Sequence, residues 1–397
     1  MIAQQPEVSQ SDRQQFMCLR RRSRRRAAMP AQSLMASTDL LIPAALLEDV
    51  VNRIFLATGC SQTEARRIAT HLLGANLAGH DSHGVVRVPR YVEWQEEGFV
   101  LAGQQASIIS DGGAFVLLDG HYGFGQTVAK QATDLAIERA LANGSCIMGL
   151  RNAGHIGRVG DYAEMAIAAG LISVHFVNVA GSVLVAPFGG TERRFSTAPF
   201  CVGVPLPEGP VLLDFATSFV AEGKVLVASN GGKALPEGAL IEPDGRLSSD
   251  PHTLYGPYES VGPRNPSLGA GAIRAFGEHK GSGLAMMCEL LAGALTGGGT
   301  SGPVGARGRI TNGMFSMFFS PQHFGDLATF HATAREYVAW VKGCAPASAD
   351  SPVLVPGEPE ATRRADRLKN GVPLPAETWA NIAATAHRLN VTVPNQL

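Results

Sequence analysis

The stretch Ala114-Phe-Val-Leu-Leu-Asp119, followed by Gly120-His-Tyr-Gly123-Phe-Gly125-Gln126-Thr-Val128, decides which kind of α/β protein this chain can be. Residues 114–119 form a short apolar run that reads as a strand. Gly123-Phe-Gly125-Gln126 turns the chain, and residues 127–142 carry helical periodicity. A Rossmann dinucleotide unit begins in the same way. It also requires a third glycine, so that helix and strand close up, and an acid on the next strand for the ribose. Here the third glycine is missing, and the next strand, Cys146–Leu150, runs into Arg151. The two glycines therefore read as a permitted turn and not as a phosphate loop.

Working outward, Arg151-Asn-Ala-Gly-His155-Ile-Gly157-Arg158 is a polar, glycine-rich loop. A helix over 160–169 closes at Gly170, and strands follow at 171–178 and 211–214. Alternating strand, loop and helix predict an α/β middle domain. Upstream, Leu46, Leu47, Val50, Val51, Ile54 and Phe55 give a helix over 40–58, stopped by Gly59. Ser61-Gln-Thr-Glu64 is a capping-box pattern opening a second helix that ends near Gly79. Downstream, residues 230–280 are rich in Gly and Pro and have little periodicity. Helices are expected at 282–296, 332–342 and 376–389, and a strand at 314–319.

Of the 397 residues, 45% are apolar and 17% charged, which suits a core-forming globular chain. The net charge of −1 hides an arginine-rich start (Arg13, Arg20, Arg21, Arg22, Arg24, Arg25, Arg26) on an otherwise mildly acidic chain. Such a body offers no basic face for nucleic acid. Residues 1–36 lack the apolar segment of a secretory signal and read as a disordered basic extension. Six scattered cysteines without a CxxC indicate neither a disulfide framework nor a zinc knuckle. No apolar run reaches the roughly 18 residues of a membrane span. The expectation is a cytoplasmic protein with no membrane partner.

Chemistry concentrates in Gly79-His80-Asp81-Ser82-His83-Gly84. His83 can give and take a proton near neutral pH, and Ser82 can relay or orient it. Arg87, four residues on, can grip a carboxylate through two parallel hydrogen bonds. Two other readings stay open. His80 and His83 with His155 could hold a metal, although no carboxylate stands at a recognisable ligand spacing. A histidine could also simply satisfy a helix C-terminus. His155 lies in a loop after a strand, where α/β proteins commonly bind ligands. Gly157 to Gly160 would open a helix whose amides can hold a phosphate, with Arg158 adding charge. Glu278-His-Lys280-Gly281 offers a second such helix start. Asp214-Phe-Ala-Thr-Ser218 ends a strand in small polar groups, which suits a nucleotide edge or a turn.

Taken in order, Ala75-Asn-Leu-Ala-Gly-His-Asp-Ser-His-Gly84, Gly123-Phe-Gly-Gln126, His155-Ile-Gly-Arg158, His175-Phe-Val177, Val185-Ala-Pro-Phe188, Asp214–Ser218, Glu278-His-Lys-Gly281 and Pro356-Gly-Glu358 resemble one family. It is the malate/L-lactate dehydrogenase family of the second type, distinct from Rossmann lactate dehydrogenases, and above all its hydroxycarboxylate dehydrogenase branch. The resemblance implies a family-specific, non-Rossmann nicotinamide-binding α/β domain over 114–289. A mainly helical domain would be built from 37–113 and 290–397. It implies interconversion of 2-oxo and 2-hydroxy acids with NAD, NADP being possible, in a homodimer. Within the family, reduction of cyclic imino acids is the alternative activity, and a non-catalytic nucleotide-binding protein is another.

By position, the resemblance makes His83 the proton donor and acceptor with Ser82 as its neighbour, puts Arg87 on the substrate carboxylate, and makes His155 catalytic. The nucleotide would meet His83, Gly157, Arg158, Val159, Asp214, Phe215, Ala216, Thr217, Ser218, Gly281, Met314, Pro359, Glu360, Ala361 and Thr362. No metal is implied. Two departures stand out. Ala198 replaces a frequent Asn, and residues 251–271 form a longer segment than the family pattern leads one to expect.

Overall fold

A computed structural model describes residues 39–229, 233–258, 264–302, 309–348 and 351–394. The arginine-rich start, and its reading as a disordered extension, lie outside the described residues. The chain begins with β1 (Leu40–Ile42), α1 (Ala44–Ala57) and α2 (Gln62–Leu77). α1 starts later than the periodicity predicts because Pro43 caps it and the residues before it pair as a strand. It turns Leu47, Val50, Val51, Ile54 and Phe55 inward. Burying each is worth about 1.5–3 kcal/mol. Ser61 caps α2 by accepting the Glu64 amide at 3.2 Å. The capping box is only half made, since the Glu64 carboxylate accepts the Gly103 amide at 2.8 Å. Two short 3-10 turns, Asp81–His83 and Val85–Arg87, lead into α3 (Val88–Glu96).

Next come β2 (Ser107–Asp111), β3 (Phe115–Asp119), α4 (Gly125–Asn143), β4 (Ser145–Ala153), α5 (Gly160–Ala168), β5 (Ile172–Ala180), β6 (Pro199–Val204), β7 (Val211–Ala216) and α6 (Glu222–Ser229). The strands join a seven-stranded sheet of order β2-β3-β4-β11-β5-β6-β7, where β11 is Thr311–Phe319. Only β3 and β4 pair in parallel; the other neighbours are antiparallel. A parallel pair needs a crossover, and α4 supplies it.

The opening glycines do their work here. The Gly154 amide donates to the Gly123 carbonyl at 2.9 Å. A Cβ on Gly125 would stand 2.5 Å from the carbonyl oxygens of Gly154 and His155. The turn is thus packed backbone on backbone against the loop that carries His155. No space for a diphosphate is left there, which is the physical reason the Rossmann reading fails.

The 230–280 stretch, without periodicity in the sequence, holds β8 (Leu240–Ile241), β9 (Leu247–Ser248), α7 (His252–Tyr255) and β10 (Ala272–Ile273). Two-residue strands are too short to leave a pattern. The three strands form a small antiparallel sheet. Arg193 clasps the 251–271 segment, donating to the carbonyls of Leu254 at 3.0 Å, Gly269 at 2.7 Å, Gly271 at 2.7 Å and also Pro266. The helix expected over 282–296 is α8 (His279–Cys288), continued by a π-helix, Glu289–Leu295. α9 (Leu327–Lys342), α10 (Glu358–Asn370), β12 (Val372–Leu374) and α11 (Ala376–Arg388) complete the chain.

One boundary needs correction. β11, assigned with 290–397 to the helical part, lies between β4 and β5 at the centre of the sheet. Its alternating Met314, Ser316 and Phe318 are buried there.

Three cores organise these elements. α1, α2, α3 and α11 enclose the first, with Phe55, Ile68, Leu72 and Ile382. α4 and α5 cover the sheet over the second, with Val128, Met148, Met314 and Phe318. Val185, Phe195, Leu240, Tyr255 and Cys288 form the third.

Candidate active site

The stretch after α2 is held by Asn76. Its amide donates to Asp81 at 2.7 Å, and its carbonyl oxygen accepts the Val85 amide at 2.8 Å. Gly84 is required, because a Cβ there would stand 2.1 Å from the Asn76 oxygen. Arg367 of α10 grips Asp81 from outside at 2.6 and 3.1 Å. The 3-10 turn so fixed leaves His83 half-buried, with Nδ1 3.0 Å from the Ser82 hydroxyl. Arg87 spends its Nε on the Ser82 carbonyl at 2.6 Å. Its side chain makes no ion pair among the described residues. α6 closes in from the other side, with Gly223 against Ser82.

His155 joins His83 across the fold. The rings stack with centroids 5.6 Å apart and planes 17° from parallel. Tyr91 of α3 places its hydroxyl 2.5 Å from His155 Nδ1. Gln126 of α4 donates to the Tyr91 oxygen at 3.1 Å and to the His155 carbonyl at 3.0 Å. Desolvation, then the Arg87 charge, pushes the His83 pKa down to about 3. The same two causes, in the same order, hold His155 well below the usual histidine range. Both rings are therefore neutral at pH 7. Among the described residues no group of histidine, cysteine and carboxylate could hold a metal ion. Ser82, His83, Arg87 and His155 come together as one cluster. Tyr91 and Gln126 are the members that motif reading missed. The i, i+4 step from Arg87 to Tyr91 places both on one helical face, a signal that was available.

The residues expected to meet a nucleotide fare differently. Arg158 is fully buried and pairs with Asp161 at 2.7 Å and Glu164 at 2.8 Å, with Asp214 3.8 Å from its Nε; Nε and Nη2 make no hydrogen bond among the described residues. It is not available as an added cation at a phosphate. The start of α5 is not a free anion site either. The Gly160 amide donates to Asp214 at 2.8 Å, and the Arg158 amide donates to His71 Nε2 at 3.1 Å. Burial raises the Asp214 pKa. Gly157 has φ 76°, and a Cβ would strike His71 at 2.2 Å; Val159 is core.

Thr217 donates its hydroxyl to the Ala198 carbonyl at 2.9 Å, and Ser218 donates to Val220 at 2.8 Å. Phe215 packs edge-on against Phe200 and Phe276, and Ala216 ends β7. Gly281 sits tightly under the Phe276 and Thr217 carbonyls. Met314 is buried in the sheet, so its side chain offers nothing to a ligand. Pro359, Glu360, Ala361 and Thr362 form the first turn of α10. Glu360 there stands 3.7 Å from His80. Ala198 is buried at φ 22° and presents no side-chain polar group.

The family model described as malate/L-lactate dehydrogenase matches residues 42–383. Hydroxycarboxylate dehydrogenase B of Escherichia coli K12 is 39% identical over 352 residues, 88% of this chain and 94% of that protein. A Delta(1)-pyrroline-2-carboxylate/Delta(1)-piperideine-2-carboxylate reductase of Pseudomonas putida is 35% identical over 264 residues, 66% of this chain and 73% of that one. Among solved structures, malate dehydrogenase from Pyrococcus horikoshii superposes with a TM-score of 0.79 at 28% identity, covering 90% of this chain and 98% of that one.

Proposed function

The chain belongs to the malate/L-lactate dehydrogenase family, and from that premise we propose that it interconverts 2-oxo and 2-hydroxy acids with a nicotinamide dinucleotide. The observation that carries this reading is a pair of neutral, stacked imidazoles beside an arginine with no counter-ion among the described residues. Arg87 suits the carboxylate that every 2-oxo and 2-hydroxy acid carries. His83, neutral at pH 7, is set to take the hydroxyl proton of a 2-hydroxy acid. In the reducing direction it must first be protonated. A substrate carboxylate on Arg87 offsets the charge that helps hold its pKa down, so binding and protonation support each other.

The donor set fits a nucleotide. Lys280 is exposed at the start of α8, beside Gly281 and the polar end of β7. The first turn of α10 presents the Glu360 carboxylate at His80, the sort of group that holds ribose hydroxyls. When bound, the nicotinamide supplies or receives the hydride. NAD is the proposed cofactor and NADP the alternative. Malate, lactate and hydroxyphenylpyruvate-type acids are the proposed substrates. The Pseudomonas relative supports a second reading, reduction of cyclic imino acids, in which the same arginine would hold the carboxylate.

We also propose a homodimer. α9 buries none of its residues, and it exposes Tyr337 (64%) and Trp340 (73%), with Phe324 (80%) just before it. Large apolar groups left in water in this way commonly mark an interface. A cytoplasmic setting is proposed from the five described cysteines, all free.

Steady-state rates with NADH and NADPH over a panel of 2-oxo acids and Δ1-piperideine-2-carboxylate test the proposal. Turnover of oxo acids is expected. Preference for the imine would replace the first reading with the second. NADH binding with no turnover of any panel member would sink both.

A further inference from the structure

Resting on the cluster being the proton-transfer site, we propose that Gln126, acting through Tyr91, locks His155 in its neutral Nε2–H form, which makes Gln126 and Tyr91 positioning residues for the reaction. A chain of hydrogen bonds joins the three side chains. One terminal atom of the Gln126 side chain lies 3.0 Å from the His155 carbonyl oxygen. A carbonyl only accepts, so that atom is the NH2 group. Its second hydrogen points to the Tyr91 oxygen at 3.1 Å. Having accepted there, the phenol directs its own hydrogen to another acceptor. His155 Nδ1, 2.5 Å away, is that acceptor. A neutral imidazole carries one hydrogen, so in His155 it sits on Nε2, the ring's remaining polar atom.

Two further observations support a purpose for this chain. The Gln126 side chain is buried while its Oε1 has no partner among the described residues. That is a cost an apolar residue of the same shape would avoid. The Tyr91 ring is also clamped, stacked on Trp94 and tilted against Phe124, so its hydroxyl cannot swing away from His155. Burial keeps the phenol protonated, its pKa pushed up to about 12.

The two histidines then divide the work. His83 exchanges the proton, and its tautomer is free to change. His155 does not transfer a proton. It lends a fixed N–H to the substrate oxygen, where negative charge gathers as the carbonyl is reduced.

The test is nitrogen NMR on the full chain labelled with 15N-histidine, the His155 signals being assigned by their loss in His155→Gln. The expected spectrum has a bare Nδ1 and a protonated Nε2, unchanged from pH 6 to 8. Tyr91→Phe removes the donor and should let both tautomers appear. It should lower kcat for oxo acids roughly 10–100-fold, as loss of a partner behind an active-site histidine does, with KM for the nucleotide unchanged. Gln126→Met, which keeps the shape but cannot donate, should shift tautomer and kcat in the same direction by less. A protonated Nδ1 in the unaltered protein overturns the proposal. So does a Tyr91→Phe variant whose tautomer or kcat is unmoved. Absence of turnover in the unaltered protein would instead sink the oxidoreductase reading, while the nitrogen shifts still decide the tautomer.

Discussion

His155 and Arg158 stand three residues apart in one loop and have opposite fates. Arg158 is buried among Asp161, Glu164 and Asp214, and Glu164 is held again by Arg364 of α10 at 2.8 and 3.0 Å. His155 faces a second imidazole and an arginine, with no carboxylate on its ring. The first group's cation is matched by carboxylates; the second sets neutral imidazoles beside the cation of Arg87, which makes no ion pair among the described residues. A cation already ion-paired by its own carboxylates has little free charge for a ligand. A cluster that holds an unpaired cation beside neutral rings has room for the anion a substrate would bring. Burial alone does not separate them. Pairing does.

The comparison can be broken at either end. His83→Ala should cost roughly 10²–10⁴-fold in kcat, the usual worth of general acid–base catalysis. Nucleotide binding and urea stability should barely change, and an unchanged kcat would remove His83 from the mechanism. Arg158→Met should do the reverse. It strands part-buried carboxylates and should lower stability by up to about 3 kcal/mol in urea titrations, while the folded protein keeps its kcat. Loss of kcat without loss of stability would mean that the hub belongs to the chemistry.

Arg87→Met should raise KM for the oxo acid. About 1.5–3 kcal/mol for a charge-assisted contact corresponds to roughly 10–100-fold. KM for the nucleotide should stay put, and an equal rise in both would place Arg87 on the cofactor.

Acid should separate the clusters more gently. His83, His71 and His175 all have lowered pKa values, and desolvation is the largest cause for each. Each gains a proton on unfolding. Their stabilisation is therefore present above the unfolded value near 6.5 and is lost as pH falls toward about 3, the folded value for His83 and His175. His175, between Ser173 and Ser316, lies away from the His83 cluster. His175→Gln should flatten the slope of stability between pH 6 and 4 by up to about 1.4 kcal/mol per pH unit, one proton's worth. An unchanged slope would show that this ring does not titrate on unfolding. The smallest effect belongs to the exposed Lys130–Asp134 pair. Lys130→Ala should cost no more than about 0.5 kcal/mol by the same titration.

Much of this was legible in the residues. The helices at 44–57 and 62–77 carry strong periodicity and a cap. The glycine turn declared itself by what it lacked, and the His83 stretch by its density of proton-handling groups. What stayed hidden has physical reasons. β2 is exposed along its whole length and shows no alternation, and β6 begins with a proline. α10 is helical without burying a residue, so no apolar stripe marks it. Arg158 and Met314 are buried, which a sequence cannot show, because it does not say which way a side chain turns. Tyr91 lies one helical turn past Arg87, but its partner His155 is 64 residues away, beyond any local pattern.

The backbone seam between Gly123, Gly125 and the 154–155 loop has an evolutionary consequence. The seat of His155 is built into the parallel junction of β3 and β4, where even one methyl group would collide with a carbonyl. That side of the cluster cannot drift. On the other side of the His83 turn, Gly223 of α6 stands against Ser82, a contact between side chain and glycine and not one of backbone on backbone.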